Sequence, residues 1–89
     1  MNTEKNNNNR EYKICMPDWP FMTATIFSIS VKLGQNINKG DTFCILDGFD
    51  DQGEAKFPVK TDVSGTVKKI HVKVGEDVGE GDLLGIIEY

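Results

Sequence analysis

Apolar residues along this chain fall in short runs with partial alternation, separated by turns rich in Gly and Asp. Residues 12–16 (YKICM) lead into Pro17-Asp18, a turn signal. Residues 25–31 (TIFSISV) and 66–72 (TVKKIHV) are rich in β-branched side chains, as strands are. Gly34 and Gly75 each follow one of these runs, where a positive φ costs glycine little. Ile37 and Val78 are lone apolar residues inside polar turns and are expected to plug the ends of a core. Gly40-Asp41 and Gly81-Asp82 then reverse the chain into further strands at 42–46 and 83–87. No segment shows a helical period, and nine glycines suit a chain of many tight turns. The pattern predicts an all-β fold.

The same pattern is written twice. TIFSISVKLGQNINKGDTFCIL at 25–46 and TVKKIHVKVGEDVGEGDLLGII at 66–87 align without a gap at an offset of 41 residues. Thr, Ile, Val, Lys, Gly, Gly, Asp and Ile recur at identical places, and apolar pairs such as Ile26/Val67, Ile37/Val78 and Phe43/Leu84 recur in kind. A fixed period of this size marks a repeated supersecondary unit. Two copies close naturally as similar halves packed face to face around one core. The expected architecture is a flattened barrel or sandwich of two short antiparallel sheets.

With 89 residues, the chain makes one small domain whose core lies near the lower limit for independent stability. Residues 1–10 (MNTEKNNNNR) read as a disordered tail, leaving 11–89 as the domain. No apolar run approaches the roughly 20 residues that span a bilayer, so no membrane association is expected and the expected location is the cytoplasm. A net charge of −4, with lysines interleaved among acids, argues against nucleic acid as a partner. Cys15 and Cys44 are too few and too far apart for a zinc knuckle or a redox pair, and read as small apolar fillers. His71 is the only histidine, so neither a metal site nor a base–nucleophile pair is expected around it.

One long piece is not repeated: residues 47–60, DGFDDQGEAKFPVK. Phe57 and Val59 alternate there with Lys56, Pro58 and Lys60, the signature of a strand with one face inward. The segment reads as a protruding hairpin whose tip is formed by Asp50, Asp51, Gln52, Gly53 and Glu54. Loops displayed on a rigid scaffold usually hold the chemistry. The acids of this tip, with Asp47, fit no calcium-ligand spacing and read as a solvated turn. Trp19 and Phe21, in the cluster WPFM, either lid the core or present an exposed anchor to a partner. No nucleophile–base pattern or phosphate-cradling loop is present, and direct catalysis is not expected.

The segments LGQNINKGDTFCIL at 33–46 and DVSGTVKKI at 62–70, followed by Val74-Gly75 and LGIIE at 84–88, resemble the biotinyl/lipoyl domain family. GDTFCIL and SGTVKKI are most similar to its biotin carboxyl carrier branch, the carriers of acetyl-CoA carboxylase. The resemblance implies a flattened barrel of two four-stranded sheets with quasi-twofold symmetry. It also implies biotin joined by an amide to a lysine at the hairpin tip, flanked as Ala-Met-Lys-Met. Lysine stem and acyl chain would form a tether of roughly 14 Å. Biotin carboxylase and carboxyltransferase subunits, and a biotin ligase, are the partners so implied.

The chain departs from that pattern at the tip. Aligned forward from GDTFCIL, the lysine slot holds Asp50; aligned backward from DVSGTV, it holds Glu54. The nearest candidate is Lys56, which the alternation places on the returning strand. Two readings stand beside each other: a module degenerate at its attachment site that acts by binding and assembly, or a carrier biotinylated at Lys56.

Overall fold

The computed structural model describes residues 10–17, 23–50 and 52–89. They form eight strands: β1 (Glu11–Cys15), β2 (Thr23–Ile29), β3 (Asn36–Ile37), β4 (Thr42–Asp50), β5 (Gly53–Lys60), β6 (Gly65–Ile70), β7 (Asp77–Gly79) and β8 (Leu83–Glu88). No helix occurs among the described residues. Of the expected tail, 1–9 lies outside them; Arg10 is tied down by backbone bonds to Tyr89 in both directions, at 3.1 and 2.9 Å.

Two four-stranded antiparallel sheets result, ordered β1-β8-β6-β3 and β5-β4-β2-β7. Exchanging every strand for the one four places away turns one order into the other, which is the quasi-twofold relation the repeat implies. The two halves are interlocked. β3 of the first repeat pairs with β6 of the second, and β7 of the second pairs with β2 of the first.

The hydrogen bonds repeat with the sequence. The N–H groups of Gly34 and Gly75, at φ of 82° and 90°, donate at 2.8 Å to the carbonyls of Val67 and Ile26 across the interface between halves. The carboxylates of Asp41 and Asp82 accept from the backbone N–H of Asn38 and Gly79 at 2.9 and 2.8 Å, closing equivalent turns. An aspartate three residues after an N–H suits such a turn because its short side chain reaches back to the backbone. Even the bulges match: β2 is irregular between Ile26 and Ser28, and β6 between Val67 and Lys69.

Ile26, Phe43, Leu46, Val67, Leu84 and Ile87 meet in one core, all at most 1% exposed. Ile37 and Val78 are buried as expected, though each sits in a short strand rather than a loop. The two cysteines differ. Cys44 is a buried filler, whereas Cys15 is exposed, because β1 turns Tyr12 and Ile14 inward and Cys15 falls on the outward phase of the same alternation. Burial pushes the Cys44 thiol up to about 11. His71 is exposed just beyond β6, its N–H donating to Leu84 O at 2.9 Å.

Phe43 is fully buried and lies over Gly85, where a Cβ would overlap the ring and stand 2.8 Å from Lys69 O. Gly85→Ala is expected to cost about 3 kcal/mol, read as a lowered urea midpoint at unchanged slope. Alkylation of the native protein at mildly alkaline pH is expected to modify Cys15 rapidly and Cys44 only after denaturant is added.

Candidate functional site

The finger forms because β4 and β5 outrun their twofold counterparts. They span nine and eight residues, against six in β8 and five in β1. Rungs run without interruption from Leu46–Phe57 through Asp47–Lys56, Gly48–Ala55 and Phe49–Glu54 to Asp50–Gly53. Asp50 and Gly53 form the last rung, so the reversal is tighter than the 50–54 turn the sequence suggested, with Glu54 already in the strand. Gly53 has φ of 113°, a conformation that side-chain-bearing residues rarely adopt.

Pleating sorts the finger into two faces. Leu46 and Gly48 are buried, with Ala55 and Phe57 half-buried beside them. Glu54, Lys56 and Pro58 are exposed on the outer face, as is Phe49 at 66%. The expected outward direction of Lys56 is what the fold produces. Gln52 is exposed at the turn. Asp51, Trp19 and Phe21 lie outside the described residues.

Lys56 stands three rungs from the tip, and its ammonium is engaged. Nζ lies 3.5 Å from Asp47 Oδ1, its cross-strand neighbour. It also sits 4.6 Å from the centroid of the Phe27 ring. Asp47 Oδ1 is buried and accepts no hydrogen bond, so its contact with Lys56 is one of charge. With the lysine side chain 42% exposed, such a pair contributes at most about 1 kcal/mol. It localises the amine more than it stabilises the fold.

Phe27 and Asp47 were not legible as partners of Lys56. Phe27 read as one more apolar strand residue, but it occupies the bulge of β2 and is turned out to 49% exposure. The signal is in the repeat: the position equivalent to Phe27 is Lys68. On the other sheet Lys68 pairs with Glu11 and lies 3.8 Å from Glu88, the twofold counterparts of Lys56 and Asp47. The hydrogen bond with Lys68 holds the Glu11 carboxyl below its ordinary range and Lys68 above its own. One face thus has a lysine between acids; the other has a lysine between an acid and a ring.

Among the described residues no His, Cys, Asp and Glu cluster could hold a metal ion, and no pocket opens. What the geometry offers is a protruding two-stranded finger with one held amine on its flank and one exposed aromatic, Phe49.

Competitive acylation followed by peptide mass mapping tests how firmly the amine is held. Lys56 is expected to label more slowly than Lys39 or Lys73. Asp47→Asn is expected to accelerate it by up to about fivefold, the rate equivalent of ~1 kcal/mol.

Comparison with curated proteins gave no match. A family model described as "Biotin-requiring enzyme" matches residues 13–87, from within β1 to within β8. With the interlocked sheets and the finger in place, that match over most of its length shows that the chain belongs to the biotinyl/lipoyl domain family, whose members are carrier-type modules.

Proposed function

We propose that this chain is a biotin carboxyl carrier-like module of a biotin-dependent acyl-CoA carboxylase, of the acetyl-CoA class, that acts by binding and assembly. The reading rests on one observation: from Thr42 to Ala55 the finger contains no lysine, and its turn is closed by Asp50 and Gly53. An amide to biotin or lipoate needs a primary amine projecting from the turn, where a ligase can reach it. The residues of this tip do not fit that group. Carboxylate and amide side chains at 50–54 can accept or donate hydrogen bonds but cannot be acylated.

A carrier scaffold without its tether keeps the shape that carboxylase and carboxyltransferase subunits recognise. Held in the carrier's place, it would occupy a docking position without delivering a carboxyl group, and so tune the assembly. A cytoplasmic location follows from that role. The second reading, a carrier biotinylated at Lys56, draws on the exposure of Lys56 and on its small neighbour Ala55. Against it stand the strand position of Lys56 and its contacts with Asp47 and Phe27.

Coexpression with a biotin ligase, followed by intact-mass measurement, separates the two. The unmodified mass is expected, together with copurification of biotin carboxylase or carboxyltransferase subunits. An added biotin mass that disappears in Lys56→Ala would establish the carrier instead, and an unmodified chain that captures no carboxylase subunit would defeat the assembly role.

A further inference from the structure

β5 is the terminal strand of its sheet, and among the described residues no strand pairs with its outer edge along the finger. The register tells which backbone groups face outward. Pro58 has no N–H, so its rung with Ile45 is one where the backbone groups of β5 point away from β4. Rungs alternate along an antiparallel pair, so Lys56 and Glu54 present their N–H and C=O to the same open edge. Among the described residues, no backbone hydrogen bond outside the ladders involves either residue.

Charge and proline blunt this edge against arbitrary strands: Lys56, Pro58 and Lys60 are all exposed along it. One strand, however, answers the pattern residue for residue, and that is β5 itself. In an antiparallel pairing centred on Ala55, Glu54 of each copy faces Lys56 of the other, and the small Ala55 faces itself. Gly53 faces Phe57, and an aromatic opposite a glycine is a favourable cross-strand combination. Glu54 has no side-chain partner among the described residues, while Lys56 already has Asp47 on its other side.

We infer that the open edge of β5 is a self-association surface, through which two copies of this chain join their fingers into one continuous eight-stranded sheet. Four backbone hydrogen bonds, from Glu54 and Lys56 of each copy, would form about a twofold axis at Ala55. Across the joined face the charges alternate as Asp47, Lys56 and the second copy's glutamate. The contact is small and lies in the size class of weak, concentration-dependent dimers.

The corresponding edge at β1 has the same order of charge, Glu11-Tyr12-Lys13, but is engaged. Glu11 is held by Lys68, and Tyr12 donates its hydroxyl to Asp62 at 3.0 Å where the axis would pass. The two edges are therefore not equivalent. This inference is independent of the carboxylase role, since it needs no other protein.

Sedimentation velocity on the purified chain from micromolar to millimolar concentration is the test. The mass is expected to rise from 9.9 kDa toward twice that value. Glu54→Lys places lysine opposite lysine at both symmetry-related rungs and is expected to weaken association on the order of tenfold. Lys56→Glu is expected to do the same, and an equimolar mixture of the two variants to restore it, because every rung then pairs opposite charges. Lys13→Glu, on the β1 edge, is expected to change nothing; thermal unfolding of each variant reports that it is folded. A wild-type chain that stays at 9.9 kDa throughout would overturn the inference. So would a dimer indifferent to Glu54→Lys, or a mixture that fails to associate.

Discussion

Neither half of this molecule can close a sheet by itself. Each repeat builds two longer strands and hands the short strand between them to the other half: β3 to β6, and β7 to β2. The two matched bonds from Gly34 to Val67 and from Gly75 to Ile26 fix that exchange. Backbone groups in the interior must find partners, so the exchange satisfies hydrogen bonding and core burial together. Everything else is arranged on the frame so created. The finger is anchored at its base because β4, its inner strand, is also paired with β2 as far as Asp47.

Much of this was written in the chain, because the features that set it are local and occur twice. Glycine before a turn, aspartate closing it and apolar alternation each reflect short-range chemistry, and their recurrence at a fixed offset announced the twofold. Strand boundaries were less accessible. β4 runs through Asp47 and Gly48 to Asp50, residues whose intrinsic preference is against strands, because pairing with β5 overrides it. The exposure of Cys15 and Phe27 was hidden for one shared reason. Apolar identity read Cys15 as interior and Phe27 as one more strand residue, whereas each follows an inward-pointing isoleucine, Ile14 or Ile26, and so falls on the outward phase of its strand.

The site was legible as a place but not as an environment. The alternation of 56–60 put Lys56 on the outer face of the returning strand, which is where it lies. That its ammonium would meet Asp47 and Phe27 depends on three strands coming side by side, of which only two are neighbours in sequence. The twofold makes the point sharper. The same three positions on the other sheet hold Glu11, Glu88 and Lys68, a surface clasp between opposite charges. Replacing its central lysine by Phe27 exchanges an ion-pair cluster for an aromatic platform, and the faces of the domain diverge in character while the backbone stays common.

Phe43 and Gly85 show the same divergence inside the core. The twofold image of Phe43 is Leu84, and the image of Gly85 is Cys44, so a large and a tiny residue on one side correspond to two of middling bulk on the other. A protein assembled from two first halves would drive each phenylalanine into a thiol; one assembled from two second halves would leave a hollow at each leucine. If the gene arose by duplication, the copies have since specialised as lock and key, and neither ancestor-like half is any longer a mate for itself.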